Sequence, residues 1–129
     1  MNDIRRSIRQ LLETKDEILF AYLHGSFLWG KGYRDIDVAV YVDPSRVDDF
    51  LEYELRLSIE LEVSLGFPVD VKVLNNAPPA FRYRVLGGEP LMIRDEKAWL
   101  EFYDLAIREY LDFKPFEKEI MKEILHSGS

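Results

Sequence analysis

The sequence predicts an α/β fold in which strands and helices mix along one chain. Three observations predict it. A compact apolar run at Glu17–His24 and an alternating stretch at Asp35–Val42 read as strands. Apolar residues at helical spacing bracket them on both sides. No repeat, low-complexity tract or linker divides the 129 residues, so a single domain over 1–129 is expected, with a helical C-terminal part at 96–126.

Residues 3–15 open with a helix, because Ile4, Ile8, Leu11 and Leu12 share one face and Arg5, Arg6 and Arg9 lie outside it. Glu17–His24 follows as a buried strand ended by Gly25-Ser26. Phe27–Arg34, with Gly30 and Gly32, reads as a turn or short helical step. Asp35–Val42 is the clearest strand: Ile36, Val38, Val40 and Val42 alternate with Asp35, Asp37, Ala39 and Tyr41 until Asp43-Pro44-Ser45 breaks it.

Residues 46–65 present two periods. Leu55, Leu57, Ile59, Leu61, Val63 and Leu65 alternate as in a strand, whereas Val47, Leu51, Leu55, Ser58, Glu62 and Leu65 fall on one helical stripe of mixed polarity. Leu/Glu-rich composition, few β-branched residues and length favour a helix. Gly66 is its stop, and Pro68 opens a second clear strand, Val69–Leu74. Pro78-Pro79 suits a helix start, Ala80–Leu86 continues it to Gly87-Gly88, and Glu89–Arg94 reads as a short strand. Trp99, Phe102, Ala106, Tyr110 and Phe113 mark a long amphipathic helix, and Pro115 is expected to open a last one carrying Phe116, Ile120 and Ile124.

Composition narrows the chemistry. The chain has 24 acidic and 17 basic residues, a formal charge of −7, which opposes binding to nucleic acid or an anionic membrane. It has no Cys, which excludes thiol catalysis, disulfides and Cys-ligated zinc, and only His24 and His126 as histidines, which excludes a multi-histidine metal site. The longest apolar run, Ile18–Leu23, is far short of the ~20 residues that span a bilayer. The N-terminal residues lack the apolar stretch of a signal peptide, so a cytoplasmic protein is expected.

Any hard chemistry therefore rests on carboxylates, hydroxyls, Lys or Arg. On the pleat of Asp35–Val42, Asp35 and Asp37 project from one face; on Val69–Leu74, Asp70 points away from the apolar Val69, Val71 and Val73. If the two strands are neighbours, three carboxylates meet, and they stay ionised together only with cations between them. Hard oxygen ligands without His or Cys point to Mg²⁺, which favours carboxylates together with substrate phosphates. Gly25-Ser26, just upstream, offers free N–H groups and a hydroxyl to a phosphate, and Lys31 and Arg34 in the same loop add positive charge. Each fragment alone is ordinary, a turn or the polar face of a strand. Together, and in this order, they describe a phosphoryl or nucleotidyl transfer site.

Other arrangements carry less. His24 and Ser26 lie too close along one strand-to-turn for a hydrolase triad, and His24 reads as a packed strand residue. The aromatic residues Trp99, Phe102, Tyr103, Tyr110 and Phe113 read mostly as core, with Tyr103 the best exposed candidate. Arg82 and Arg84 read as solvated surface.

The stretch His24-Gly25-Ser26-Phe27-Leu28-Trp29-Gly30-Lys31-Gly32-Tyr33-Arg34-Asp35-Ile36-Asp37, with Asp70 in Pro68-Val69-Asp70-Val71, resembles the signature of minimal nucleotidyltransferases (MNT) of the DNA polymerase beta superfamily. Leu74-Asn75, Pro78-Pro79-Ala80-Phe81-Arg82-Tyr83 and Glu109-Tyr110-Leu111-Asp112-Phe113 extend the resemblance to the antitoxin component of HEPN/MNT toxin–antitoxin pairs. The spacer Phe27–Arg34 is shorter than the family's usual one. The resemblance implies a small mixed β-sheet backed by helices, with ATP as substrate, two Mg²⁺ ions and AMP transfer with release of pyrophosphate. Carried onto this chain, Asp35, Asp37 and Asp70 would be the catalytic metal ligands, and Gly25, Ser26, Lys31 and Arg34 the nucleotide-binding residues. The implied acceptor is a tyrosine of a HEPN ribonuclease toxin. The alternatives are a binding module that masks its toxin without catalysis, and a transferase with a small-molecule acceptor.

Overall fold

The structure, a computed structural model, describes residues 2–25 and 36–127, with side chains from 4–25 and 36–112. Eight elements follow one another: α1 (Asn2–Glu13), β1 (Ile18–His24), β2 (Ile36–Val42), α2 (Phe50–Leu65), β3 (Val69–Val73), α3 (Pro79–Leu86), β4 (Glu89–Ile93) and α4 (Glu96–Ser127). Among the described residues the strands form one mixed sheet in the order β3-β2-β1-β4. β1 runs antiparallel to both β2 and β4, and β2 runs parallel to β3. This is the small α/β architecture that the sequence predicts, and every strand falls where its pattern places it.

Alternation along the strands builds two apolar layers. Ile36, Val38, Val40 and Val42 of β2 join Ala21 and Leu23 of β1 and Val69, Val71 and Val73 of β3 on one face. Ile8 and Leu12 of α1 and Leu57 and Leu61 of α2 close that layer. Each such fully buried aliphatic side chain contributes on the order of 2 kcal/mol. On the other face Phe20, Tyr22, Ala39 and Leu74 pack against Val85 of α3 and Phe102 and Ala106 of α4. Trp99 Nε1 donates to the Tyr22 hydroxyl at 2.7 Å, which satisfies both buried polar atoms and ties α4 to β1.

The edge of the sheet at β3 is closed by side chains of α2. Glu54 Oε1 accepts from the N–H of Val73 at 2.8 Å, Ser58 Oγ from that of Val71 at 3.1 Å, and Glu62 Oε1 from that of Val69 at 3.0 Å. The steps match: four helical residues advance about 6 Å, and two strand residues about 6.6 Å. Backbone donors that an edge strand normally offers to solvent or another chain are thereby occupied.

Three expectations are corrected. The helix predicted over residues 46–65 starts at Phe50: Asp49 caps it, accepting from Glu52 N at 3.0 Å, and Asp43 Oδ1 holds a turn with Ser45 before it. Its buried face is Leu57 and Leu61, flanked by Phe50, Tyr53 and Leu65, while Leu51 and Leu55 point outward. The polar members of the expected stripe, Ser58 and Glu62, belong to the edge ladder, a tertiary arrangement that periodicity does not reveal. Pro115 does not open a new helix, because α4 runs on to Ser127 as one element. A proline removes one intrahelical hydrogen bond, and Glu-, Lys- and Leu-rich turns on both sides propagate the helix across it. No helix among the described residues is long and apolar enough to cross a membrane.

Candidate active site

One row crosses three strands at one end of the sheet. His24 of β1 is the register partner of Asp37 on β2, and Asp37 is the register partner of Asp70 on β3. By strand alternation all three belong to the face that carries Phe20, Tyr22 and Ala39. The helical cover on that face packs over β1, β2 and Leu74 and leaves β3 bare, so Asp70 and Lys72 are exposed while Asp37 is half-buried. Neighbouring strands lie about 4.8 Å apart, and the two residues in register carry their carboxylates on the same face of adjacent strands. The Lys72 ammonium sits 3.9 Å from Asp70 Oδ1, a solvent-exposed pair that screens the charge weakly.

Gly25 closes on this row from the end of β1. Its φ is +84°, a left-handed conformation that favours glycine. A Cβ there would stand 2.0 Å from Asp37 Oδ2, so the backbone lies directly against the carboxylate. Glycine is required here twice, by conformation and by contact.

His24 is packed, as its sequence position predicts. Its ring meets Phe81 of α3 edge-on at 5.5 Å between centroids, and its Nε2 is buried without a hydrogen-bond partner among the described residues. Burial lowers its pKa below the usual histidine value; the nearby Asp70 carboxylate opposes the shift and the Arg84 guanidinium reinforces it. The imidazole is therefore neutral at pH 7. Arg84 also lines a pocket of about 300 Å³ with Tyr83, Leu86, Gly87, Tyr103 and Ile107.

The structure thus brings Asp37, Asp70 and Gly25 together. Ser26, Lys31, Arg34 and Asp35 lie outside the described residues. Among the described residues no three His, Cys, Asp or Glu side chains form a metal-holding group. Sequence reasoning passed over Lys72, although the two-residue period places it on the face of Asp70, and over Phe81, whose contact with His24 is tertiary. It also misread Arg82. That guanidinium is not solvated: Nε donates to Leu74 O at 3.0 Å, Nη2 to Asn75 O, and Nη1 lies 3.5 Å from Glu109 Oε1. With its Cζ 5.5 Å from the Phe102 ring centroid, Arg82 joins the end of β3 to α4. Arg84 is exposed, as expected.

A mixed sheet with paired carboxylates beside a glycine turn defines a class of nucleotide-handling enzyme. Residues 6–97 match the family described as polymerase beta, nucleotidyltransferase, and the chain belongs to it. Among solved structures, it is similar to a chain of the toxin–antitoxin MntA-HepT, with 21% identity, TM-score 0.74 and coverage of 97% of this chain and 99% of that one. It is likewise similar to a chain of a toxin–antitoxin with AMP-PNP, with 24% identity, TM-score 0.75 and coverage of 94% and 98%. A third match is the tri-AMPylated Shewanella oneidensis HEPN toxin in complex with MNT antitoxin, with 22% identity, TM-score 0.74 and coverage of 96% and 98%. A sequence search of curated proteins gives no match.

Proposed function

We propose that this chain is the antitoxin of a HEPN/MNT pair and transfers AMP from ATP to a tyrosine of its HEPN partner. The observation that carries the proposal is the register pairing of Asp37 with Asp70 on the open face of the sheet, with the backbone of Gly25 against Asp37. Nucleotidyltransferase membership supplies the reaction class, and the similar structures with AMP-PNP and with an AMPylated toxin support this donor and acceptor.

In this reading Asp35, Asp37 and Asp70 would hold two Mg²⁺ ions. The donor set fits, being made of hard carboxylate oxygens that repel one another unless a cation joins them. When bound, the ions would neutralise charge on the attacking and leaving oxygens. The protein orients the rest. Gly25 allows close approach of backbone to the triphosphate, and Ser26, Lys31 and Arg34 hold its β- and γ-phosphates. Asp70, at the outer end of the row, faces the acceptor and favours loss of its proton to solvent. The acceptor oxygen bonds to the α-phosphorus, the bond from that phosphorus to the bridging oxygen breaks, and pyrophosphate leaves with the electron pair. β2 and β3, which follow the short spacer, are paired in register.

The test is to incubate the chain with the HEPN protein encoded beside it, ATP and Mg²⁺, and to weigh the partner by intact mass spectrometry. Mass increments of AMP that vanish with Asp37→Asn are expected. A partner that is inhibited yet unmodified overturns the proposal in favour of masking, and AMP appearing only on small hydroxyl compounds overturns the protein acceptor.

A further inference from the structure

On the face of the sheet that carries the carboxylate row, the chain of β3 presents three side chains in turn. Asp70 and Lys72 are exposed, whereas Leu74, just past the strand, is buried with Val85 of α3 and Phe102 and Ala106 of α4. The helical cover therefore ends between Leu74 and Lys72, and Lys72 is the first residue on this face to emerge from it. Its side chain leans toward the row. Two strand residues advance about 6.6 Å, yet the Lys72 ammonium lies 3.9 Å from Asp70 Oδ1.

Two structural uses for a lysine here carry little. Edge strands often bear lysine to discourage pairing with another chain. On β3 the outward N–H groups of Val69, Val71 and Val73 are already taken by Glu62, Ser58 and Glu54, so the edge is closed without it. Nor does the fold depend on the pair with Asp70, because an exposed contact of this length adds little stability.

The position suits chemistry better. A group that approaches Asp70 over the open face comes within reach of the Lys72 ammonium. An acceptor hydroxyl that loses its proton there gains negative charge beside a carboxylate and a triphosphate, both anionic, which oppose it. A fixed positive charge on the acceptor side offsets that opposition where it is greatest.

We propose that Lys72 is a catalytic residue of AMP transfer, its ammonium holding the attacking tyrosine oxygen beside Asp70 and offsetting the charge that gathers on it. This rests on the transferase function proposed above and adds to it a residue on the acceptor side. Lys72 keeps its protons throughout. The tyrosine proton goes to solvent, the tyrosine oxygen bonds to the α-phosphorus, and pyrophosphate leaves with the electron pair of the broken bond.

The experiment compares wild type, Lys72→Ala, Lys72→Arg and the control Lys97→Ala, which removes an exposed lysine of α4. The acceptor is the HEPN protein encoded beside this chain, and AMP transfer is followed by intact mass across a range of ATP concentrations. Calorimetry measures binding of AMP-PNP and of the partner, and thermal melting checks the fold. Lys72→Ala should lower the rate at saturating ATP about tenfold to 100-fold, with melting temperature and both affinities unchanged. Lys72→Arg should recover most of the rate, and Lys97→Ala should match wild type. A wild-type rate in Lys72→Ala overturns the role of Lys72 and leaves the transferase standing. A defect that saturating ATP restores assigns Lys72 to the nucleotide and overturns its place on the acceptor side. A loss of partner affinity that accounts for the slower rate overturns it in favour of docking. Equal slowing in Lys97→Ala reduces the effect to net charge and overturns it also. A wild type that transfers no AMP overturns the proposed function, and this role with it.

Discussion

Asp37 and Asp70 are register partners on parallel neighbouring strands, so their side chains rise from one face of adjacent strands. Asp70 is exposed, and the Lys72 ammonium lies 3.9 Å from its Oδ1. Replacing it by Asn should leave stability within about 1 kcal/mol of wild type, because the interactions lost and relieved are both screened by water. AMP transfer should fall about 100-fold or more. Urea unfolding and a single-turnover assay measure the two effects separately.

The same pair predicts a metal response. Mg²⁺ at about 100 times its Kd should raise the unfolding free energy of wild type by about 2.7 kcal/mol, and a chelator should reverse the gain. Asp70→Asn should respond markedly less. Thermal melting with and without Mg²⁺ checks this, and an identical Mg²⁺ shift in Asp70→Asn contradicts the assigned ligand.

Gly25→Ala places a methyl group where Asp37 Oδ2 already stands and requires a non-glycine residue at φ +84°. About 2 kcal/mol of destabilisation is expected, together with loss of activity exceeding what the altered stability explains. Activity assayed well below the melting temperature distinguishes the two effects.

The edge ladder makes three amides readable one at a time. Glu62→Ala should cost about 1–2 kcal/mol and accelerate hydrogen exchange at Val69 N before Val73 N; Glu54→Ala should show the opposite order. Glu62→Gln keeps an acceptor oxygen and should stay within about 0.5 kcal/mol of wild type.

Tyr53 predicts alkaline sensitivity. Burial raises its pKa, and its hydrogen bond to Glu17 Oε2 at 2.7 Å and the Glu17 charge raise it further. The folded chain therefore keeps the proton that the unfolded chain releases near pH ~10. Its contribution is complete below that pH and is lost as pH rises above it. Urea midpoints between about pH 9 and pH 11 should fall steeply in wild type and less in Tyr53→Phe, which itself loses about 1 kcal/mol at neutral pH.

Alternation alone placed β2 and β3, and with them the shared face of Asp37 and Asp70, because a period of two leaves little choice of side. Strand adjacency was a condition in the sequence and a fact in the structure. The buried face of α2 was not legible, since Ser58 and Glu62 look solvent-facing until the β3 edge they satisfy is known. The bridging role of the partly buried Arg82 depends on Glu109 and Phe102, brought in by α4 from far along the chain. Ser26, Lys31, Arg34 and Asp35 remain as the sequence presents them, outside the described residues.

The parallel pairing of β2 with β3 also bears on when the protein becomes active. β1 and β2 are sequential antiparallel strands, whereas β3 reaches β2 only after the whole of α2 has crossed between them. Pairings of that kind close long loops and form late during folding. Asp70 therefore joins Asp37 only once that crossover has closed, and a chain caught earlier holds only half of the carboxylate pair. If the pair serves the proposed reaction, a newly made or damaged copy is inert until its sheet is complete, which would couple activity to the integrity of the fold.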